Sequence, residues 1–348
     1  MKCIHCDTDV RLKDRGDGRC HVCHEAFAFE PRRGDPFTDR ACQDAIETLS
    51  GRGRLRWGVE HLYWELARRR ARKQRGVNLG CAAVAAVALA FFSMTLVTAR
   101  GFAWLACAAI GLCLFSLLKL RRLGAAARAL PAGKFDGYWT RWTQVHGRPE
   151  SAIERAPRRE RKPVELDLFD YSFDRVVVCD RARTVDLLVA NDFHFENNCA
   201  VLSIAGYPES VFEPVRAMLK RNRRLEVFAL HDATPFGCRV AYRLATDPAW
   251  FRGQGRVVDV GLRPRHVARH RDYWLEAEVR NVDTGGGLSA EEAAWLARYR
   301  MELAVYRPEA ILRALFRAIN RREELALPAS TRAAAADTSD VDSFDSFG

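Results

Sequence analysis

Two pairs of cysteines open the chain: Cys3-x2-Cys6 and, after thirteen intervening residues, Cys20-x2-Cys23. Each pair can set two thiolates on one tight turn. Two such turns supply four soft ligands in a tetrahedron, the set that zinc takes. Four thiolates leave no open coordination position, so the expected zinc is structural rather than catalytic. His5, His21 and His24 lie close by in sequence, but the four cysteines already complete the set. A second group of reactive residue types lies far along the chain, where short apolar runs end in Cys179-Asp180, Gly206-Tyr207 and His231-Asp232-Ala233-Thr234. If those runs are parallel strands, their carboxyl ends are where ligands bind. His231 there is either a phosphate contact or a structural histidine. No base is identifiable as a partner that would make Cys179 a nucleophile.

These residues need elements to hold them. The first pattern, with Asp14, Gly16, Asp17 and Gly18 as a hairpin tip between the pairs, resembles a zinc ribbon over residues 1–30. Residues 39–75 read as a helical stalk, in which Leu55, Val59, Leu62 and Leu66 recur at helical spacing. Trp57, Tyr63 and Trp64 there either touch a membrane interface or pack against other helices.

Residues 77–120 are almost continuously apolar. Val77 to Thr98 carries no charge and would span about 33 Å as a helix, close to the thickness of a hydrocarbon core. Arg100 and Gly101 interrupt, and Phe102 to Leu118 is a second uncharged run. Arginines and lysines flank the pair, at Arg68 to Arg75 before it and Lys119 to Arg122 after it. The expectation is a two-helix transmembrane hairpin in a bacterial-type inner (plasma) membrane, with both termini cytoplasmic and the bilayer as a partner. Much of the formal charge of +11 would then serve topology rather than nucleic acid. Residues 121–163 follow as a juxtamembrane segment and linker. There Phe135, Tyr138, Trp139 and Trp142 share a helical face turned either to the bilayer or to the next domain. The eleven cysteines form no even, regular framework, which points to a reducing compartment.

Residues 164–327 read as an α/β domain with C-terminal helices. Val176 to Val178, Ala200 to Ile204, Leu225 to Leu230 and Arg256 to Gly261 are strand-like runs alternating with helical segments, the pattern of a mostly parallel sheet covered on both faces. His194 and Glu196 fall in an expected exposed turn, and Tyr273 to Val282 alternates like an edge strand. Ser289 and Glu292 form a capping-box start to a helix, and Pro308 opens another. Residues 328–348, with Asp337, Asp340, Asp342 and Asp345, form an acidic tail of disordered composition.

The stretch from Val201 to Pro208, followed by Val227 to Gly237 with its Asp232-Ala233-Thr234-Pro235-Phe236-Gly237 run, resembles the Toprim domain. The likeness is to the DNA topoisomerase VI A subunit and its meiotic relatives, over residues 173–265. The resemblance implies a glutamate at the end of the first strand and an Asp-x-Asp-Pro-Tyr-Gly motif at a later one, acidic groups that together hold magnesium for phosphodiester chemistry. This chain departs from the pattern. Cys179 stands in the glutamate's place with Asp180 next to it, and Thr234 replaces the second aspartate, so only Asp232 is where the family has it. No separate module carrying a DNA-cleaving tyrosine precedes the domain, so strand passage is not expected. The resemblance therefore implies a degenerate, non-catalytic scaffold that binds or senses nucleic acid, nucleotide or protein at the membrane. The alternatives are a divergent magnesium-dependent nuclease or nucleotidyl-transfer enzyme using Asp232 and Asp180, and an assembly factor that recruits protein partners.

Overall fold

The computed structural model describes residues 1–15, 17–74, 111, 124–154, 173, 175–221, 225–250 and 256–326. The chain divides into two compact units. One comprises Met1–Gln43, Tyr63–Gly147 and His270–Trp274; the other comprises Asp44–Leu62, Arg148–Arg269 and Leu275–Gly348.

The longer helices among the described residues of the first half are α1 (Asp39–Ser50), α2 (residues 59–74) and α3 (Ala132–His146). Within the first unit, Asp39 is fully buried, and its two carboxylate oxygens accept the backbone N–H groups of Ala28 and Phe29, both at 2.8 Å. His146 Nε2, at the end of α3, lies 2.6 Å from the same carboxylate. Three residues of the aromatic face of α3 pack within this unit. Trp142 stacks on Phe29, Tyr138 meets Phe29 and Phe37 edge-on, and Phe135 packs against Tyr63. Tyr63 and Trp64 are buried in this unit.

The expectation of an integral membrane protein is corrected here. Among the described residues no helix is long and apolar enough to cross a membrane, and the architecture that is described is α/β with a parallel sheet. The expected hairpin at 77–120 lies outside the described residues, Gly111 excepted. The inner-membrane placement required a helix able to cross a membrane, and among the described residues there is none. The physical reason is visible in the flanking arginines. Arg68 and Arg69 close on the buried Glu65 at 2.7 and 2.9 Å, and Arg70 donates to the Pro36 carbonyl at 2.5 Å. Basic residues that hydropathy assigns to membrane topology are here internal partners of the fold.

In the second unit, β1 (Arg175–Cys179) is followed by α4 (Ala182–Ala190), β2 (Cys199–Ser203), α5 (Glu209–Arg221), β3 (Glu226–Leu230), α6 (Val240–Thr246) and β4 (Arg256–Asp259). The four strands are parallel in the order β2-β1-β3-β4. β1 is central because Val176, Val177 and Val178 are apolar on both faces, which only a fully covered strand tolerates. On one face Val176, Val178, Leu202, Val227 and Ala229 pack with Val215 of α5, Val240 and Leu244 of α6, and Trp250. Val177, Val201 and Phe228 alternate to the other face. α4 lies against β1 and β2.

The expected edge strand at 273–282 shortens to β5 (Leu275–Glu276), paired antiparallel with β6 (Tyr299–Arg300). Between them, the helix α7 (Ala290–Leu296) starts with the expected capping box of Ser289 and Glu292. Pro308 opens α8 (Pro308–Ala326). Trp57 is buried in this unit, and its indole N–H donates to Ser151 Oγ at 3.0 Å. His194 corrects another expectation, since it sits buried in a one-turn helix at Phe193–Glu196 rather than on an exposed turn. The linker at 155–163 and the tail at 328–348 lie outside the described residues.

Candidate functional site

The N-terminal cysteines converge. One ligand atom from each of Cys3, Cys6, Cys20 and Cys23 lies within 4.8 Å of all the others. Cys3 and Cys23 sulfurs are 3.6 Å apart, and so are those of Cys6 and Cys20. Two nearly identical knuckles produce this arrangement, offset by one repeat along the chain. The backbone bridges Lys2 to Asp9 in the first and Arg19 to Ala26 in the second. Cys3 N–H donates to Thr8 O, and Cys20 N–H to Glu25 O. The residue after each second cysteine, Asp7 and His24, takes a left-handed conformation at φ 55 and 60. That turn lets both sulfurs of a pair face the same point. A short 3-10 turn spans Leu12–Arg15, and Gly18, in the expected hairpin tip, takes a left-handed φ of 76.

Thr8 lowers the Cys6 thiol to about 6 through its side-chain and backbone hydrogen bonds. At Cys23 the Glu25 backbone N–H lowers the thiol, but burial and the other three cysteines carry it up to about 12. Besides Thr8 and the Glu25 backbone, the sulfurs have one another as partners. Such a cluster can hold a metal ion, and its soft, closed donor set is compatible with zinc.

The second candidate group is at the carboxyl ends of β1 and β3. Register places Cys179 beside Leu230, so Asp180 and Asp232 come together one and two residues beyond. Asp180 N–H donates to Leu230 O at 3.1 Å, and Asp180 Oδ2 accepts Asp232 N–H at 3.1 Å. Gly237 closes on this pair. A Cβ there would meet Asp232 O at 2.4 Å, Thr234 Oγ1 at 3.0 Å and Asp180 Oδ2 at 3.1 Å.

The two carboxylates have opposite fates. Asp232 Oδ1 accepts Leu303 N–H at 2.7 Å, while Oδ2, without a hydrogen bond among the described residues, is held in ion pairs 2.5 Å from Arg181 Nε and 3.6 Å from Arg183 Nη2. Asp180 Oδ1 is buried without a hydrogen-bond partner among the described residues. Burial, followed by the charge of Asp232, raises Asp180 to about 7. Burial also raises Asp232, against the pull of Arg181 and Arg183. The short guanidinium contact makes Asp232 the charged member of the pair and leaves Asp180 to take up a proton near neutrality. No third carboxylate joins them: among the described residues, the four cysteines are the one group of three or more metal-ligating side chains.

Cys179 is fully buried, and burial raises its thiol well above its ordinary range, so it is inert as a nucleophile. His231 is also fully buried. Its Nδ1 lies 2.8 Å from Asp232 O and its Nε2 lies 2.8 Å from Asp259 Oδ1. Burial opposes its charge, but the Asp259 hydrogen bond more than compensates and lifts it to about 10. For Asp259, burial works upward, yet His231 and Arg263 bring it down to about 2. Arg263 binds Asp259 Oδ2 through Nε and Nη2, both at 2.7 Å, and reaches Glu292 at 3.3 Å. His231 is thus an internal cation with both nitrogens occupied, not a phosphate contact. Gly261 permits this arrangement, since a Cβ there would fall 2.2 Å from the His231 ring.

Sequence reasoning missed Arg181, Arg183, Asp259 and Arg263. The legible signal was a basic pair directly after the most apolar strand, at residues 181 and 183. Comparison of the chain with known protein families, with curated proteins and with solved structures found no match in any of the three.

Proposed function

We propose that the chain is a binding protein: a structural zinc organises its N-terminal module, and a Toprim-like sheet edge recognises nucleic acid or nucleotide without phosphodiester chemistry. One observation carries this reading. Both oxygens of Asp232, the acidic residue that stands where the resemblance requires one, are already engaged by Leu303 N–H and by Arg181. Magnesium needs several hard oxygen ligands free to face it, and a guanidinium at 2.5 Å takes up the position such an ion would need. The central parallel β1, with Asp180 and Asp232 on neighbouring strand ends, supports the Toprim likeness of the scaffold. The net charge of +11 supports a polyanionic partner. The closed, four-sulfur donor set supports zinc in a structural role.

The test is binding and cleavage of labelled DNA and RNA by the purified full chain, with and without magnesium. The expected result is salt-sensitive binding, no cleavage, and no dependence on magnesium. Cleavage that requires magnesium and disappears in Asp232→Ala would overturn the reading in favour of an enzyme. Salt-insensitive capture of a protein, with no affinity for nucleic acid, would replace it with a recruiting role.

A further inference from the structure

The sheet reverses direction beside β1. The chain leaves β1 for β2 on one side and comes back to β3 on the other. In open parallel sheets, the crevice outside the carboxyl ends at such a reversal is where ligands bind. Here the residues at that place are Asp180, Arg181, Arg183 and the loop that follows β3.

Arg181 contacts Asp232 through Nε, and its side chain remains 38% exposed. Among the described residues its two Nη groups make no hydrogen bond. A guanidinium fixed in this way presents a planar fork of donors, the geometry that matches phosphate oxygens. Arg183 Nη2 lies 3.6 Å from Asp232 and 3.5 Å from Glu302, with no hydrogen bond to either.

Both arginines stand at the start of α4. Arg181 is the N-cap residue, its side chain caps no backbone N–H, and the first turn has no acidic residue. The N-terminus of a helix carries partial positive charge and disfavours cations. Asp232 and Glu302 hold the two arginines there, and a further anion would meet the exposed part of the Arg181 fork. The residue directly before them, Asp180, is 7% exposed and has an oxygen with no hydrogen-bond partner. The edge also carries an aromatic surface. Phe236 is 50% exposed, and its neighbour Gly237 anchors the loop against Asp180 Oδ2.

We infer that Arg181, Arg183 and Phe236 form a metal-independent site for a nucleoside phosphate, with the guanidiniums taking the phosphate and the ring stacking on the base. This rests on the nucleic-acid or nucleotide reading above and narrows it to a phosphomonoester, borne by a free nucleotide or by the end of a strand. Aromatic stacking accepts any base, so the site discriminates by phosphate before base identity.

The test uses the zinc-loaded full chain with no added magnesium. The probes are AMP, GMP, CMP and UMP singly, inorganic phosphate, and a labelled oligothymidylate ending in either a phosphate or a hydroxyl. The expected result is saturable binding of a mononucleotide or of the phosphate-ended strand. Which of the two binds tells the source of the phosphate. Arg181→Ala and the milder Arg181→Lys each weaken it about tenfold or more. Phe236→Ala, a surface change, weakens the nucleotide several-fold while competition by inorganic phosphate is retained. Arg243→Ala, which removes the same charge from an exposed position on α6, leaves binding unchanged. Strands bound equally with either end, and undiminished in Arg181→Lys, overturn this inference and leave the broader reading standing. Failure of every nucleotide and strand to bind overturns both.

Discussion

The cysteine knuckles and the sheet edge both gather side chains able to ligate metal, yet only one of them is built to do so. In the knuckles, four sulfurs face one point, and their partners are chiefly one another. At the sheet edge, Asp232 has an arginine and a backbone N–H on its two oxygens, and Asp259 has His231 and Arg263. Convergence of ligand types does not define a metal site. What defines it is whether the fold already satisfies the donors, because displacing an internal guanidinium strands a charge that then needs a new partner.

The largest effect expected from this contrast is on the knuckles. Cys20→Ser, or stripping with a chelator, should take bound metal from about one per chain to about none and unfold the knuckles, since structural zinc sites contribute on the order of 10 kcal/mol. Metal analysis together with amide-exchange protection of residues 1–15 checks it; knuckles that stay protected without metal break the comparison.

The next effect is at the His231–Asp259 pair. Asp259→Asn leaves a buried imidazole without its anionic partner and should cost about 3 kcal/mol in urea unfolding. The pair also sets a pH dependence. His231 rises from 6.5 to about 10 on folding, so its contribution is complete below pH 6.5 and is lost as pH rises toward 10. The wild type should therefore lose stability between about pH 7 and pH 10, and Asp259→Asn should flatten that decline. An identical slope in both proteins would show that His231 is not the cation described.

Asp180 and Asp232 sharpen the comparison further. Asp232→Asn should cost about 2 kcal/mol by leaving Arg181 and Arg183 without their shared anion. Asp180→Asn should cost little at neutral pH, because that carboxyl is already raised to about 7 by burial and by its neighbour. Equal losses in the two variants would contradict the assignment of charge within the pair. The smallest effect is Ser289→Ala, which removes the cap of α7 and should cost about 1 kcal/mol.

The sequence was most informative where local chemistry alone decides structure. The paired CxxC turns, the Val176 to Val178 run, the Ser289 capping box and Pro308 each specify their element with few competitors. It misled where one signal fits two environments. Apolar length and flanking arginines suit a bilayer, but Arg68 and Arg69 pair internally with Glu65. The aromatic face of α3 could be read as interfacial, yet it stacks on Phe29, more than a hundred positions earlier in the chain. Nothing local marks Arg181 and Arg183, because no short-range signal indicates that β3 delivers Asp232 to them. Such long-range pairings depend on sheet order, which hydrophobic periodicity does not encode.

The most direct test of the sheet-edge account is a magnesium titration of the full chain, followed by the resonances or heat of the wild type and of Asp232→Ala. The account predicts no saturable magnesium binding that depends on Asp232. Stoichiometric magnesium binding in the wild type that vanishes in Asp232→Ala would contradict it.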